Sequence, residues 1–320
     1  MSARDVVITT SYLGPDDEVH EMLVAAGLEV IYSRPQDRDG DLATMAEAIA
    51  GAAGLIAGTE PVSAAAIEAA PDLKVIARTG VGYDNVDVAA ARARGVVVCT
   101  TPGANADSVA ELALGLMIDC ARRVTESSRA VLDGQWQQRS GHELKGATLG
   151  IIGLGGIGRR LAVLARAFGM TVVAHDTYFD ETFATSHEVS RSSLPDLLTA
   201  SDFVSVHTAL TPQTRHLIDA AALAMMKPTA ILVNTARGGI VDEIALAEAL
   251  HSGTISGAAL DVLETEPAAA DHPLRTAPGC VITPHIAGAT FQARARSGAL
   301  AAAQVMESLR GGVVAHEVTS

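Results

Sequence analysis

Twice along this chain, short unbroken runs of apolar residues alternate with stretches of helical periodicity. In the first hundred residues, the runs at 6–9, 29–32, 54–57, 74–78 and 96–99 predict strands, and the stretches at 15–26, 41–51, 63–69 and 86–94 predict helices between them. Strands that are apolar at every position, rather than at every second one, need cover on both faces, which is the condition of a parallel sheet flanked by helices. Thr100-Thr101-Pro102-Gly103-Ala104-Asn105 breaks the pattern and predicts a linker. From residue 147 the alternation restarts, with strands expected at 147–152, 171–175, 203–207, 230–234, 257–261 and 280–283, and helices at 156–168, 193–199, 220–226 and 242–251. The expected fold is α/β, with two doubly wound parallel-sheet domains. A last helix, 290–309, follows the completed second sheet and is expected to fold back, so that residues 1–101 and 290–320 make one domain and 102–289 the other. Between the two series, Val109, Leu112, Ala113, Leu116, Met117 and Cys120 recur at helical spacing. That helix, 107–123, is expected to serve both the core and contact with a second copy of the chain.

Apolar residues make up 48% of the chain and charged ones 19%, which excludes intrinsic disorder. Aromatics are only 3%, so Ala, Val, Leu and Ile must build the core. Lys and Arg number 23 against 37 Asp and Glu, a net charge of −14 with no basic run, so a nucleic-acid partner is not expected. No stretch of 18 apolar residues is present, so no membrane span is expected, and Met1-Ser2-Ala3-Arg4-Asp5-Val6-Val7-Ile8 lacks the apolar segment of a signal peptide. Cys99, Cys120 and Cys280 lie far apart and outside any C-x-x-C pair, which fits free thiols in a reducing cytoplasm. The ten histidines include no H-x-x-x-H or H-E-x-x-H pair, so no metal is expected.

Gly153-Leu154-Gly155-Gly156-Ile157-Gly158 is a G-x-G-x-x-G with an apolar strand before it and a helical pattern after it. Gly153 permits the tight turn, Gly155 lets the backbone approach a pyrophosphate, and Gly158 lets helix press on strand. The helix start offers unpaired N–H groups and partial positive charge to phosphates. The next strand ends at Asp176, eighteen residues beyond Gly158, where a carboxylate accepts from ribose hydroxyls and repels a 2′-phosphate. No Arg or Lys lies in 177–184, so NAD(H) is expected rather than NADP(H).

In open α/β sheets the carboxyl ends of strands carry the ligands. In the second series those ends read His207-Thr208, Asn234-Thr235-Ala236-Arg237 and Asp261, followed by Glu266 and His285. Asn234-Thr235-Ala236-Arg237-Gly238-Gly239-Ile240-Val241-Asp242-Glu243 resembles the signature of the D-isomer-specific 2-hydroxyacid dehydrogenases. Leu260-Asp261-Val262-Leu263-Glu264-Thr265-Glu266-Pro267 and Thr283-Pro284-His285-Ile286-Ala287-Gly288-Ala289-Thr290 are similar to that family too. So are Arg78-Thr79-Gly80-Val81-Gly82-Tyr83-Asp84-Asn85-Val86-Asp87 and Ser108-Val109-Ala110-Glu111-Leu112, and the resemblance is to the phosphoglycerate dehydrogenase-like branch.

The resemblance implies a flavodoxin-like substrate-binding domain, a Rossmann NAD-binding domain, and an NAD-dependent oxidoreductase acting on a small D-2-hydroxy acid or 2-oxo acid. It assigns Arg237 to the 2-oxo acid, whose carboxylate and carbonyl oxygen a planar guanidinium can grip together. It makes His285 the acid–base residue and Glu266 the partner that fixes its tautomer and favours its charged form. Glu264, two residues from Glu266, is expected to be a solvated neighbour. Cofactor contacts fall to Gly153, Gly155, Gly156, Ile157, Gly158, Asp176, Thr208, Thr235, Ala236, Arg237, Asp261, His285 and Gly288, with Asp261 accepting from the carboxamide. Substrate contacts fall to Arg78, Val81, Gly82 and Arg237, the Thr79-Gly80-Val81-Gly82 turn offering N–H groups to the carboxylate in a cleft between the domains. A cytoplasmic homodimer is implied.

Two departures bear on substrate. Phosphoglycerate dehydrogenases commonly carry a basic residue after the third strand, where this chain reads Gly58-Thr59-Glu60-Pro61, and the sequence stops at Ser320 without a regulatory extension. Both lower the case for 3-phosphoglycerate, although Arg78 and Arg139 are available to a phosphate, and put an unphosphorylated acid such as hydroxypyruvate or glyoxylate at least level with it. A second reading is an NAD(H)-sensing interaction protein like the corepressors that share this fold, without physiological turnover; the intact Arg237, Glu266 and His285 weigh for the enzyme.

Overall fold

The computed structural model describes residues 5–33 and 44–319, so the first four residues and positions 41–43 of the second expected helix lie outside it. The chain divides into two compact units, Met1–Asn105 with Thr290–Ser320, and Ala106–Ala289. In the first, strands β1 (Asp5–Ile8), β2 (Glu29–Tyr32), β3 (Gly54–Ala57), β4 (Val75–Arg78) and β5 (Val97–Cys99) alternate with helices α1 (Glu18–Ala25), α2 (Met45–Ile49), α3 (Ala64–Glu68) and α4 (Val88–Ala93). The strands pair in parallel in the order β2-β1-β3-β4-β5, a flavodoxin-like sheet. Short polar side chains start the helices: Thr44 and Glu47 form a reciprocal capping box on α2, and Ser63 and Asp87 accept N–H groups of α3 and α4.

Both faces of this sheet are buried, as its unbroken apolar strands require. One face packs Val7, Leu55 and Ile76 against Ile49 and Ile67. The other packs Val6, Ile8, Ile56 and Val75 against Leu23 of α1 and against Ala301, Ala302 and Val305 of the C-terminal helix Phe291–Leu309. That helix lies close: a Cβ added to Gly54 would stand 2.9 Å from a Val305 methyl.

The second unit contains α5 (Ala106–Arg122), α6 (Val124–Leu132), β6 (Thr148–Ile152), α7 (Gly156–Ala167), β7 (Thr171–His175), α8 (Glu181–Ser186), β8 (Val189–Arg191), α9 (Leu194–Ala200), β9 (Phe203–Val206), α10 (Ala220–Met225), β10 (Ile231–Asn234), α11 (Glu243–Ser252), β11 (Gly257–Leu260) and β12 (Cys280–Ile282). The parallel order β12-β11-β10-β9-β6-β7-β8 is the dinucleotide-binding arrangement with one strand added, and its direction reverses between β6 and β9. Ligands in such sheets bind beyond the carboxyl ends at that reversal.

The sequence pattern does not predict α6, α8 or β8. β8 is Val-Ser-Arg at the sheet edge with two exposed residues, so it carries no apolar run to read. Of the two roles expected of α5, the structure shows the one in the core. Val109, Ala113, Leu116 and Met117 are buried, and α5 lies against α7 and β10 within its own unit. Exposed apolar residues cluster on and after α6, with Val124, Val131, Leu132 at 84% and Trp136 at 92% exposure, and others such as Tyr178, Phe291 and Val313 lie elsewhere. No helix among the described residues is long and apolar enough to cross a membrane.

Candidate active site

The connection from β6 to α7 is only Gly153-Leu154-Gly155. Gly153 has φ 98°, and a Cβ there would meet the His207 carbonyl at 2.7 Å; one on Gly158 would meet the Gly153 oxygen at 2.1 Å. These two glycines are steric necessities. Cβ atoms on Gly155 and Gly156 would have nothing within 4 Å, so the helix start is open there, with Ile157 partly buried beside it. Asp176, at the end of β7, accepts the Leu154 N–H at 2.6 Å through Oδ2 and the Tyr178 N–H at 2.7 Å through Oδ1. Its carboxylate is thereby fixed beside the glycine turn.

Arg159, which the motif reading passed over, donates from Nε to the Leu154 carbonyl at 3.0 Å and pairs with Asp180 at 3.1 Å. Arg191 pairs with Glu181 at 3.4 Å. The fold thus brings two cations to the 177–184 segment, each matched with an acid of that segment. Only the adjacency of Arg159 to Gly158 could have pointed to the first.

Beyond β10, the side chain of fully buried Asn234 ties down the following turn: its Oδ1 accepts the Ala236 N–H at 3.0 Å, and its Nδ2 donates to the Arg237 carbonyl at 2.8 Å. The turn then passes against the 263–264 backbone, since a Cβ on Gly238 would stand 2.0 Å from the Leu263 carbonyl carbon. That approach sets the Arg237 turn beside the segment leading to Glu266. The Arg237 guanidinium is partly buried and donates to the Ala236 carbonyl at 2.8 Å. Thr208 follows β9, and its backbone nitrogen lies 2.8 Å from where a Gly153 Cβ would stand. Thr235 is buried, and its Oγ1 has no hydrogen-bond partner. An unmatched buried hydroxyl is costly, and it fits a site completed by a polar ligand. The open helix start, the anchored Asp176 and this hydroxyl together fit a dinucleotide.

Glu266 and His285, 19 residues apart in sequence, meet: His285 Nδ1 lies 2.8 Å from Glu266 Oε2, while Glu266 Oε1 accepts the Leu263 N–H at 3.0 Å. Burial pushes the Glu266 carboxyl up, but hydrogen bonds from His285 and Leu263, with the charges of His285 and Arg237, outweigh it and hold the group below the usual glutamate range. The guanidinium therefore acts on the same carboxylate as the imidazole. With Nδ1 engaged, Nε2 is the ring atom left for proton exchange, and the side chain keeps 33% exposure. Gly288 lies partly buried three residues on.

Asp261 is 1% exposed and its carboxylate already receives three donors, Thr283 Oγ1 at 2.6 Å, Ile286 N at 2.8 Å and Ala287 N at 2.7 Å. Oδ1 accepts two of these and Oδ2 one, which leaves one acceptor position on Oδ2 for a carboxamide N–H. Glu264 is exposed, in keeping with the solvated neighbour expected, and it also has partners. Its carboxylate pairs with Arg215 at 3.4 Å and with His216, and its N–H donates to Glu243 at 2.6 Å. Glu243, itself buried, in turn holds the partly buried His272 Nε2 at 2.8 Å, a Glu–His pair with no signal in the sequence.

In the first unit, Arg78 is 6% exposed and donates from Nε to Asn85 Oδ1 at 2.9 Å, and Asn85 donates to the Gly58 and Glu60 carbonyls. Arg78 thus supports the loop after β3. Glu60 turns inward, accepting from the Gly58 N–H at 2.8 Å and from the Thr9 hydroxyl. Val81, 42% exposed, and Gly82 lie in the turn after β4. Among the described residues no three His, Cys, Asp or Glu side chains gather as metal ligands do.

Comparison with known proteins places the chain in a family. Residues 114–287 match the D-isomer specific 2-hydroxyacid dehydrogenase, NAD binding domain, so the cofactor is NAD. The chain is 41% identical over 298 residues to a D-3-phosphoglycerate dehydrogenase of Methanocaldococcus jannaschii, covering 92% of this chain and 55% of that one. It is 45% identical to a hydroxypyruvate reductase of Thermotoga maritima, covering 74% of this chain and 78% of the relative. A Thermus thermophilus protein of solved crystal structure superposes with a TM-score of 0.88 at 38% identity, over 98% of this chain and all of the other. The chain spans about half the length of the D-3-phosphoglycerate dehydrogenases it matches. Fold and sequence agree, and this chain belongs to the D-isomer specific 2-hydroxyacid dehydrogenase family.

Proposed function

We propose that this protein is an NAD-dependent dehydrogenase that interconverts a small D-2-hydroxy acid and its 2-oxo acid. The observation that carries the reading is the His285–Glu266 contact of 2.8 Å with the Arg237 charge acting on it. Bound NAD(H) supplies the hydride acceptor or donor. Arg237 grips the carboxylate and carbonyl oxygen, polarising the carbonyl as negative charge develops on that oxygen. His285 gives a proton from Nε2 to that oxygen in reduction and takes it back in oxidation. Glu266 holds Nδ1, fixes the tautomer and compensates the imidazolium. Thr208, Thr235, Ala236 and Gly288 are assigned to the nicotinamide end of the cofactor. Gly153, Gly155, Gly156, Ile157, Gly158 and Asp176 are assigned to the pyrophosphate and adenosine, and Asp176 favours NAD over NADP.

The first unit, with Val81 and Gly82 as its anion-binding turn, is assigned to substrate. Glu60 occupies the loop after β3, and a carboxylate there disfavours a phosphate dianion. The preferred substrates are therefore unphosphorylated, with hydroxypyruvate and glyoxylate first. A homodimer is supported by the exposed Leu132 and Trp136. A cytoplasmic setting suits Cys99, Cys120 and Cys280, whose thiols burial pushes up to about 12, so that they stay protonated and inert.

The test is NADH and NADPH consumption over hydroxypyruvate, glyoxylate and 3-phosphohydroxypyruvate, with the reverse reaction on D- and L-hydroxy acids. Turnover with NADH and D-products is expected; binding of NADH without consumption over the whole panel would refute the enzyme. Light scattering should give a dimer mass that Trp136→Asp with Leu132→Asp reduces to the monomer.

A further inference from the structure

His285 has φ 55°, in the left-handed region that residues with a side chain rarely adopt. Such a conformation persists only where its surroundings over-determine it. Here they converge on one residue. The Asp261 carbonyl accepts the His285 N–H at 2.8 Å, its Oδ1 accepts Thr283 Oγ1 and the Ile286 N–H, and its Oδ2 accepts the Ala287 N–H. Three successive backbone donors and a hydroxyl thus end on a single residue that is 1% exposed. Asp261 is itself fixed, because its own N–H donates to the Asn234 carbonyl at 2.9 Å on the neighbouring strand. We infer that Asp261 is a positioning residue for the proton-transfer histidine: its buried carboxylate holds residues 283–287 in the left-handed turn that brings His285 Nδ1 to Glu266.

Chemistry at this position demands a carboxylate. All three partners of the side chain are donors, so it must be an acceptor through both oxygens. An amide would satisfy one side and point its own N–H₂ at a donor on the other. The partners are charge-assisted and short, as befits a clamp that fixes backbone. The inference rests on the dehydrogenase reading only in its kinetic arm.

The experiment compares wild type with Asp261→Asn, Thr283→Val and Thr283→Ser. In ligand-free protein, carboxyl carbon NMR follows the titration of Glu266, assigned by its loss in Glu266→Gln. Asp261→Asn should move the Glu266 midpoint up toward the ordinary glutamate value, because the imidazole no longer reaches it. On the same variant, kcat for 2-oxo acid reduction, read at saturating NADH, should fall about 100-fold. Thr283→Val removes one donor and should shift both readouts in the same direction by less, and Thr283→Ser should recover them. An unchanged Glu266 titration in folded Asp261→Asn overturns the inference. If that variant does not fold, an unchanged titration in Thr283→Val does so. Weakened NADH binding with Glu266 unmoved also overturns it, and assigns Asp261 to the cofactor instead. A wild-type protein that reduces no 2-oxo acid refutes the dehydrogenase reading alone, and the titration still decides the clamp.

Discussion

Two Glu–His pairs sit in the same unit at the same 2.8 Å separation, Glu266 with His285 and Glu243 with His272, and each carboxylate also receives a backbone N–H from residues 263–264. They differ in what remains of the imidazole. His272 is 15% exposed, donates from Nε2 to Glu243, and has the Leu274 N–H at 3.4 Å on Nδ1, so both ring nitrogens are used. His285 is 33% exposed with only Nδ1 engaged. The pair with both nitrogens used is a brace; the pair with one nitrogen unused keeps a valence for proton exchange, and the proposed acid–base role of His285 rests on that unused valence and access.

Replacing the outward member should hurt turnover most. His285→Asn is expected to lower kcat about 10²- to 10⁴-fold while leaving the melting temperature nearly unchanged; a loss of stability without loss of rate would erase the distinction between the pairs. Arg237→Ala should cost about 10²- to 10³-fold and retain NADH binding, read by fluorescence titration beside steady-state rates.

Glu266→Gln should cost less, about 10- to 100-fold. Its effect on stability carries a defined pH sign. The folded carboxyl titrates below the ordinary value, so its stabilising contribution is complete above the unfolded-state value and is lost as pH falls through the folded one. The difference in urea midpoint between wild type and Glu266→Gln should therefore shrink on acidification. His272→Phe closes the series: kcat within about threefold of wild type, but stability lower by about 2–3 kcal/mol, a drop of several degrees in a thermal melt. A large kinetic defect there would mean that the brace reaches the chemistry.

The sheet strands were legible because burial on both faces leaves a continuous apolar run, as in Leu149-Gly150-Ile151-Ile152. Val189-Ser190-Arg191 was not, because an edge strand with an open face need not be apolar. The helix Val124–Leu132 escaped notice because none of its residues is buried, so no core imposes a period on it. The glycine turn was readable since Gly153 and Gly158 answer to local sterics. Glu266 and His285 came from resemblance, and nothing in a span of 19 residues reports a contact. Glu243 and His272 lie further apart still, and three of the four donors that end on Asp261 are backbone groups, which no residue identity announces.

The placement of the C-terminal helix has a consequence for how this protein is made. Val6, Ile8, Ile56 and Val75 leave the ribosome early, but their cover, Ala301, Ala302 and Val305, is synthesised after the whole of Ala106–Ala289. At elongation rates of about 5–20 residues per second, that apolar surface stands bare for roughly 10 to 50 seconds. That face of the nascent first unit stays uncovered until the C-terminal helix emerges, and the second unit is synthesised in the interval.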